Sequence, residues 1–91
     1  MKTKDLGLAS LLVSNRCRLN AYEMDELGQM WFEFADEDKT RGLEESYCLR
    51  SAIANVQEFL AAQKMLKALI FEHRNKIYEH RINKSKESIM E

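Results

Sequence analysis

Two histidines and two cysteines are the side chains of this sequence best suited to metal binding or nucleophilic chemistry. His73 and His80 lie seven residues apart, where EHRNKIY at 72–78 is followed by the similar EHRINKS at 79–85. On a helix this spacing puts both imidazoles on one face but roughly 10 Å apart, too far to bind one metal ion together. We expect them at the rim of an amphipathic helix. The alternative is a metal ion or a pH-sensitive contact shared with a second subunit.

Cys17 and Cys48 match neither a CxxC metal motif nor a dense disulfide framework. The sequence also lacks the pattern of a signal for export to an oxidising compartment. We therefore expect free, partly buried thiols and a cytoplasmic protein.

The segment 36–42, DEDKTRG, has the Asp-x-Asp-x-Thr spacing with which calcium loops begin. Its glycine comes one position late, at Gly42, and its twelfth position is Tyr47 where a calcium loop has glutamate. The segment therefore predicts a solvated polar turn that places negative charge before the next helix. We expect no metal site.

Catalytic motifs are absent from the sequence. It contains no glycine-rich phosphate loop, no GxSxG, no HExxH and no Cys–His pair with the spacing of a nucleophile and its base. We expect a protein that is not an enzyme and that has no cofactor.

The spacing of apolar residues predicts an α+β fold for the 91 residues. The expected order is an N-terminal helix, a β-hairpin, then two C-terminal helices with the last one long and amphipathic. Thr3 is the predicted cap of the first helix, and Asn55 with Glu58 forms a capping box for the last. A single unbroken helix from Leu43 is the alternative. The predicted boundaries are 14–15 for the end of the first helix, 16–22 and 29–35 for the strands, 43–52 and 56–83 for the later helices, and 84–91 for a frayed tail beyond a single domain of residues 1–83.

The only tryptophan, Trp31, lies in the second predicted strand. Alternation places one apolar face of the hairpin against the helices, and it places Trp31 on the other face beside Arg16, Arg18 and Tyr22. Two environments are open for the indole: a face left free for another molecule, or a cover formed by the C-terminal helix. The residues predicted to form the core face are Cys17, Leu19, Ala21, Met30, Phe32 and Phe34.

The net charge of −1 conceals a division of charge along the chain. Residues 20–58 hold ten acids and three bases, whereas residues 59–86 hold seven bases and two acids. Such a division can steer a partner or pair two subunits, and the balance near zero is unlike that of a general nucleic-acid binder. A chain this small buries a thin core, so we expect a homodimer.

Several of these motifs resemble those of a family of small uncharacterised proteins from bacteria and their phages. The family pattern is K-T-x-D-L-x-L-A, then an aromatic F-x-F, then a helix that bears lysine. The resemblance covers residues 2 to 71 and implies a mobile-element protein that acts by occupying a partner's surface. The matching positions are KTKDLGLASLL at 2–12, Trp31-Phe32-Glu33-Phe34, Tyr47, Val56, Phe59, Ala62, Leu66, Lys67 and Ile70.

Two functions are consistent with the sequence. The first is a protein-binding module that occludes a host or defence protein, for example a nucleic-acid-binding one, with an acidic surface. The second is single-stranded nucleic-acid binding by the hairpin face and the basic helix. No apolar stretch is long enough to cross a membrane, since the longest is 6–13. The candidate protein-binding residues are Glu23, Asp25, Glu26, Trp31, Asp36, Glu37 and Asp38. The candidate nucleic-acid-binding residues are Arg16, Arg18, Tyr22, Trp31, Lys64, Lys67, Arg74, Lys76 and Arg81.

Overall fold

A computed structural model describes the backbone of residues 1–90 and the side chains of residues 1–75. It contains one three-stranded antiparallel sheet and three helices, which confirms the predicted α+β fold. The side chains of Lys76, His80 and Arg81 lie outside the described residues, and the division at residue 83 stays a prediction. The elements are β1 (Lys2–Thr3), α1 (Leu6–Ser14), β2 (Leu19–Met24), β3 (Met30–Phe34), α2 (Asp38–Cys48) and α3 (Val56–Met90).

The first strand, β1, was not predicted, and it turns the expected hairpin into a sheet with the order β1-β3-β2. Lys2 pairs with Glu33, and Thr3 pairs with Phe32. The prediction that Thr3 caps the first helix is therefore wrong. Asp5 is the cap instead, because its side chain accepts a hydrogen bond from the backbone N–H of Leu8 at 3.1 Å.

A β-bulge at Asn20 changes which side chains of β2 face the helices. Leu19 pairs with Phe34 and Ala21 pairs with Glu33, so Asn20 is an extra residue in β2. Beyond the bulge the alternation is shifted: Ala21 lies on the outer face and is exposed, contrary to its predicted place in the core. Tyr22 pairs with Phe32 and therefore leaves the sheet on the inner side, not beside Trp31 as predicted.

The core lies between the inner face of the sheet and helices α1 and α3. Cys17 and the three inward residues of β3 are buried there as predicted, and Leu19 packs against them half-buried. The apolar stripe of α3 joins the core through the fully buried Leu66. The core cluster consists of Leu8, Ala9, Leu12, Cys17, Met30, Phe32, Phe34 and Leu66.

Helix α2 begins at Asp38, so the predicted polar turn at 36–42 is largely helical. Acidic side chains stabilise the first turn of a helix, which explains the earlier start. The helix ends at Cys48, and residues 49–55 separate it from α3, which excludes the single unbroken helix. The predicted cap of α3 is confirmed, since Asn55 Oδ1 accepts from the N–H of Glu58 at 3.0 Å.

Candidate functional site

Trp31 lies on the outer face of the sheet, half-buried and held by two polar contacts. Its indole Nε1 donates to Asp25 Oδ2 at 2.8 Å, and Lys4 Nζ lies 5.7 Å from the centre of its ring. The described residues that line the surface beside the ring belong to the strands and their turn, not to α3. The indole lies on the outer face, where the alternation predicts it, with its N–H already bonded to Asp25. Among the described residues, the cover by the C-terminal helix that was the other prediction is not observed.

The carboxylate of Asp25 organises the turn between β2 and β3. Its Oδ1 accepts from the N–H groups of Leu27 and Gln29, both at 2.9 Å. The hydrogen bond from Gln29 contributes most to holding the pKa of Asp25 below its usual value, followed by the bond from Trp31. Gly28 adopts a left-handed φ of +79°, which favours glycine, and its carbonyl accepts from Arg74 of α3 at 2.9 Å.

Charged side chains surround Trp31 on the outer face. Lys2 Nζ and Glu23 Oε1 form an ion pair across β3 at 3.1 Å, and the hydrogen bond that Lys2 donates to Glu23 raises the pKa of Lys2. Glu33 lies beside Lys2 in the strand register, on the same face. A depression on this face is lined by the indole, by the Lys2–Glu23 ion pair and by Glu33, so the charge around it is slightly negative and does not favour a phosphate.

The predicted acidic residues lie at the two ends of the hairpin, and most of them have a partner within the chain. Arg18 pairs with Glu37 at 3.3 Å, and Arg41 contacts Asp36 at 3.8 Å and also Asp38. Since Glu23 pairs with Lys2 and Asp25 holds the turn, Glu26 alone lacks a polar partner among residues 1–75. Exposed ion pairs contribute little to stability, but they cancel charge that would otherwise attract a basic partner.

The predicted nucleic-acid platform is not assembled. Arg16 is exposed at the end of α1, where it adopts a left-handed φ of 61°. Arg18 is engaged with Glu37, and Tyr22 leaves the sheet on the inner side. Of the basic side chains of α3, Lys64 and Lys67 are exposed, whereas Arg74 is bonded to the turn.

A row of exposed residues on α3 was not predicted from the sequence. Val56 is 69% exposed, Leu60 53% and Phe71 66%, although each is a large apolar residue. Lys64 and Lys67 complete the row, because the spacing of four, four, three and four residues keeps all five on one side of a helix. We call this set the apolar–basic stripe. Its apolar members were visible in the sequence, but only the packed helix shows that they face away from the core.

Both cysteines are free thiols as predicted, but neither is partly buried, since Cys17 is buried and Cys48 is exposed. The described residues contain no group of three or more His, Cys, Asp or Glu side chains that could hold a metal ion. His73 is half-buried on the packed side of α3. Among the described residues, no helix is both long and apolar enough to cross a membrane.

Comparison of the chain with models of protein families, with curated proteins and with solved structures finds no match in any of the three. The site is therefore assigned from its own geometry.

Proposed function

We propose that this protein is a non-enzymatic protein-binding module and that the apolar–basic stripe of α3 is its contact surface. The observation that carries the proposal is the exposure of Val56, Leu60 and Phe71 on one side of α3, while Leu66 on the opposite side is fully buried. Exposed apolar side chains that lie together mark binding surfaces more often than isolated ones do.

The segment before α3 also carries exposed apolar side chains. Ile53 is 90% exposed three residues before Val56, and Leu49, just after the end of α2, is also largely exposed. Burial of each such aliphatic side chain against a partner would contribute roughly 1.5–3 kcal/mol before the cost of association is subtracted. A small number of apolar anchors of this kind can carry most of the affinity of an interface.

The two lysines of the stripe specify the chemistry of the partner. Lys64 and Lys67 lie between Leu60 and Phe71, so the binding partner needs an apolar groove with acidic side chains along its rim. We place the contact here and not on the predicted acids, because all of those except Glu26 have polar partners within the described part of the chain. The setting that we propose is the one implied by the family resemblance: a mobile-element protein in the cytoplasm that occludes a host or defence protein.

Site-specific photo-cross-linking tests this surface and does not require that the partner be identified first. A photoreactive amino acid at position 60 should cross-link a protein from cells, and the same amino acid at position 26 should not. Leu60→Glu should abolish capture because it places a charge in the apolar groove, whereas Glu26→Lys should leave capture unchanged. Capture that depends on Glu26 and survives Leu60→Glu would instead identify the acidic residues as the contact.

Single-stranded nucleic-acid binding remains the second candidate, and the observation that favours it is the exposure of Phe71 beside Lys64 and Lys67. Base stacking on an aromatic side chain contributes about 1–3 kcal/mol, so Phe71→Ala should weaken such binding by roughly tenfold. The affinity for a labelled single strand should also fall steeply as salt increases. A protein that binds no strand at low salt excludes this function.

A further inference from the structure

The outer edge of β2 is the longest unpaired strand edge in the described part of the chain. The strand order β1-β3-β2 leaves one side of β2 without a neighbour, whereas β1 at the opposite edge has only two residues. Residues 20–23 are exposed. The bulge at Asn20 can protect an edge, but it lies near the start of β2, and from Ala21 to Met24 the strand is regular and contains neither the proline nor the lysine that serve the same purpose.

The register shows which backbone groups of β2 are available at this edge. Asp25 donates its N–H to the carbonyl of Gln29, and hydrogen-bonded pairs alternate along an antiparallel ladder. Glu23 and Ala21 are therefore the residues that bond to β3, and the N–H and C=O groups of Tyr22 and Met24 point away from the sheet. The N–H of Phe34 bonds to Met1 on the other side of β3, as the same alternation requires.

We propose that two copies of the chain pair through β2, antiparallel, with Tyr22 of each copy at the two-fold axis, to form a six-stranded sheet. Opposite residues in a sheet must share a face, so the axis has to fall on a residue and not between two residues. With the axis at Tyr22, the free backbone groups of the two tyrosines bond to each other. Ala21 then lies opposite Glu23 of the second copy, and Met24 lies opposite its Asn20.

Charge selects this register over its nearest competitor. A two-fold axis at Glu23 would also pair free backbone groups, because Tyr22 of one copy would lie opposite Met24 of the other. It would, however, place the Glu23 carboxylates of the two copies directly opposite each other. Like charges in that position destabilise a sheet. An axis at Ala21 would leave the free groups of Met24 unpaired. A strand of this length buries a small area, so the dimer is expected to be weak and dependent on concentration.

Disulfide cross-linking between two variants, each with one added cysteine on β2, tests the register. In a Cys48→Ser background, which leaves only the buried Cys17, a chain with Ala21→Cys is mixed with a chain with Glu23→Cys. The proposed pairing puts position 21 of one copy opposite position 23 of the other, within the Cα separation that a disulfide tolerates. The two copies of position 21, and likewise the two copies of position 23, lie diagonally across the strands and are farther apart. The mixed disulfide should form at least about tenfold faster than either self-disulfide.

Sedimentation supplies a second measurement that does not depend on cysteine. Tyr22→Pro removes an N–H that faces solvent in the monomer, so the fold should survive and the dimer should be lost. If that variant fails to fold, the cross-linking comparison still decides. Equal rates for all three disulfides, or a monomer at every concentration, would overturn the proposal. Leu60→Glu should leave the dimer intact, which separates this proposal from the binding surface on α3.

Discussion

Asp25 links the hairpin turn to the indole of Trp31 through one carboxylate. Asp25→Asn keeps an oxygen that can accept from the amides of Leu27 and Gln29, but it replaces the acceptor of the indole N–H with an amide nitrogen. We expect the variant to unfold at a lower temperature at pH 7 and to show a changed tryptophan emission. Thermal unfolding followed by fluorescence measures both effects.

The lowered pKa of Asp25 predicts how the difference in melting temperature between the wild type and Asp25→Asn depends on pH. A carboxylate whose pKa is lower in the folded state stabilises the fold fully above its ordinary value of 3.8. This contribution is lost as the pH falls through the lowered folded value. The difference in melting temperature between the wild type and Asp25→Asn should therefore narrow in acid. Glu26→Gln is the matched control in the same turn. If the wild type loses no more stability in acid than Asp25→Asn does, the ionised carboxylate of Asp25 does not stabilise the fold.

Gly7 allows the close approach of Tyr47 to α1. The hydroxyl of Tyr47 donates to the Asp5 carboxylate at 3.0 Å, and a Cβ at Gly7 would lie 2.7 Å from that hydroxyl oxygen. Burial, with a further contribution from Asp5, raises the pKa of Tyr47. Gly7→Ala alone gains helix propensity but displaces this hydroxyl, so the gain is offset.

In a Tyr47→Phe background the clash with the hydroxyl is removed. Gly7→Ala should then be more favourable by about 1 kcal/mol than it is in the wild type. Chemical denaturation of the four proteins of this double-mutant cycle gives the coupling free energy. A coupling of zero would mean that Tyr47 does not contact Gly7 in solution.

Over residues 56–75, helix α3 has apolar residues on two sides, and one of these sides packs against the protein while the other is exposed. Leu66 is fully buried in the core, whereas Leu60 belongs to the exposed stripe. Leu66→Ala should lower the free energy of unfolding by about 2–5 kcal/mol, because it removes buried contacts and leaves a cavity. Leu60→Ala should change it by about 0.5 kcal/mol or less. Urea denaturation checks both values, and equal losses would contradict the orientation of the helix.

The core of the whole molecule encloses Cys17, while Cys48 lies outside it. Cys17 packs with residues of α1, β3 and α3, so a reagent reaches its sulfur only when these elements separate. A chromogenic thiol reagent should modify Cys48 rapidly and Cys17 only as fast as the protein opens. Cys48→Ser should abolish the fast phase alone. Rapid modification of both cysteines would show that the segment before β2 opens independently of the core.

The features that were predicted correctly depend on residues close together in the sequence. Alternation in β3 identified Met30, Phe32 and Phe34 as the core face, and the capping box at Asn55 located the start of α3. The main errors of the sequence-based prediction lie where the backbone interrupts the regular alternation of side chains along a strand. A two-residue strand has no periodicity to detect, and one extra residue at Asn20 moved Ala21 and Tyr22 to opposite faces from those expected.

The candidate binding surfaces were also only partly predictable from the sequence. Composition and spacing located the acids, the bases and the single tryptophan, but ion pairs and hydrogen bonds between distant segments decided which of them remain available. Lys2 reaches Glu23, and Tyr47 reaches Asp5 across more than forty residues. Such contacts cannot be found by counting charges along a segment.

The amino-acid sequence by itself determined the order and type of the main elements, because apolar period and capping chemistry act over a few neighbouring residues. Only the tertiary structure decided which side of α3 is exposed and which edge of the sheet is unpaired. Both depend on how α1 and β1 pack against elements far from them in the chain, and that packing is a property of the whole molecule.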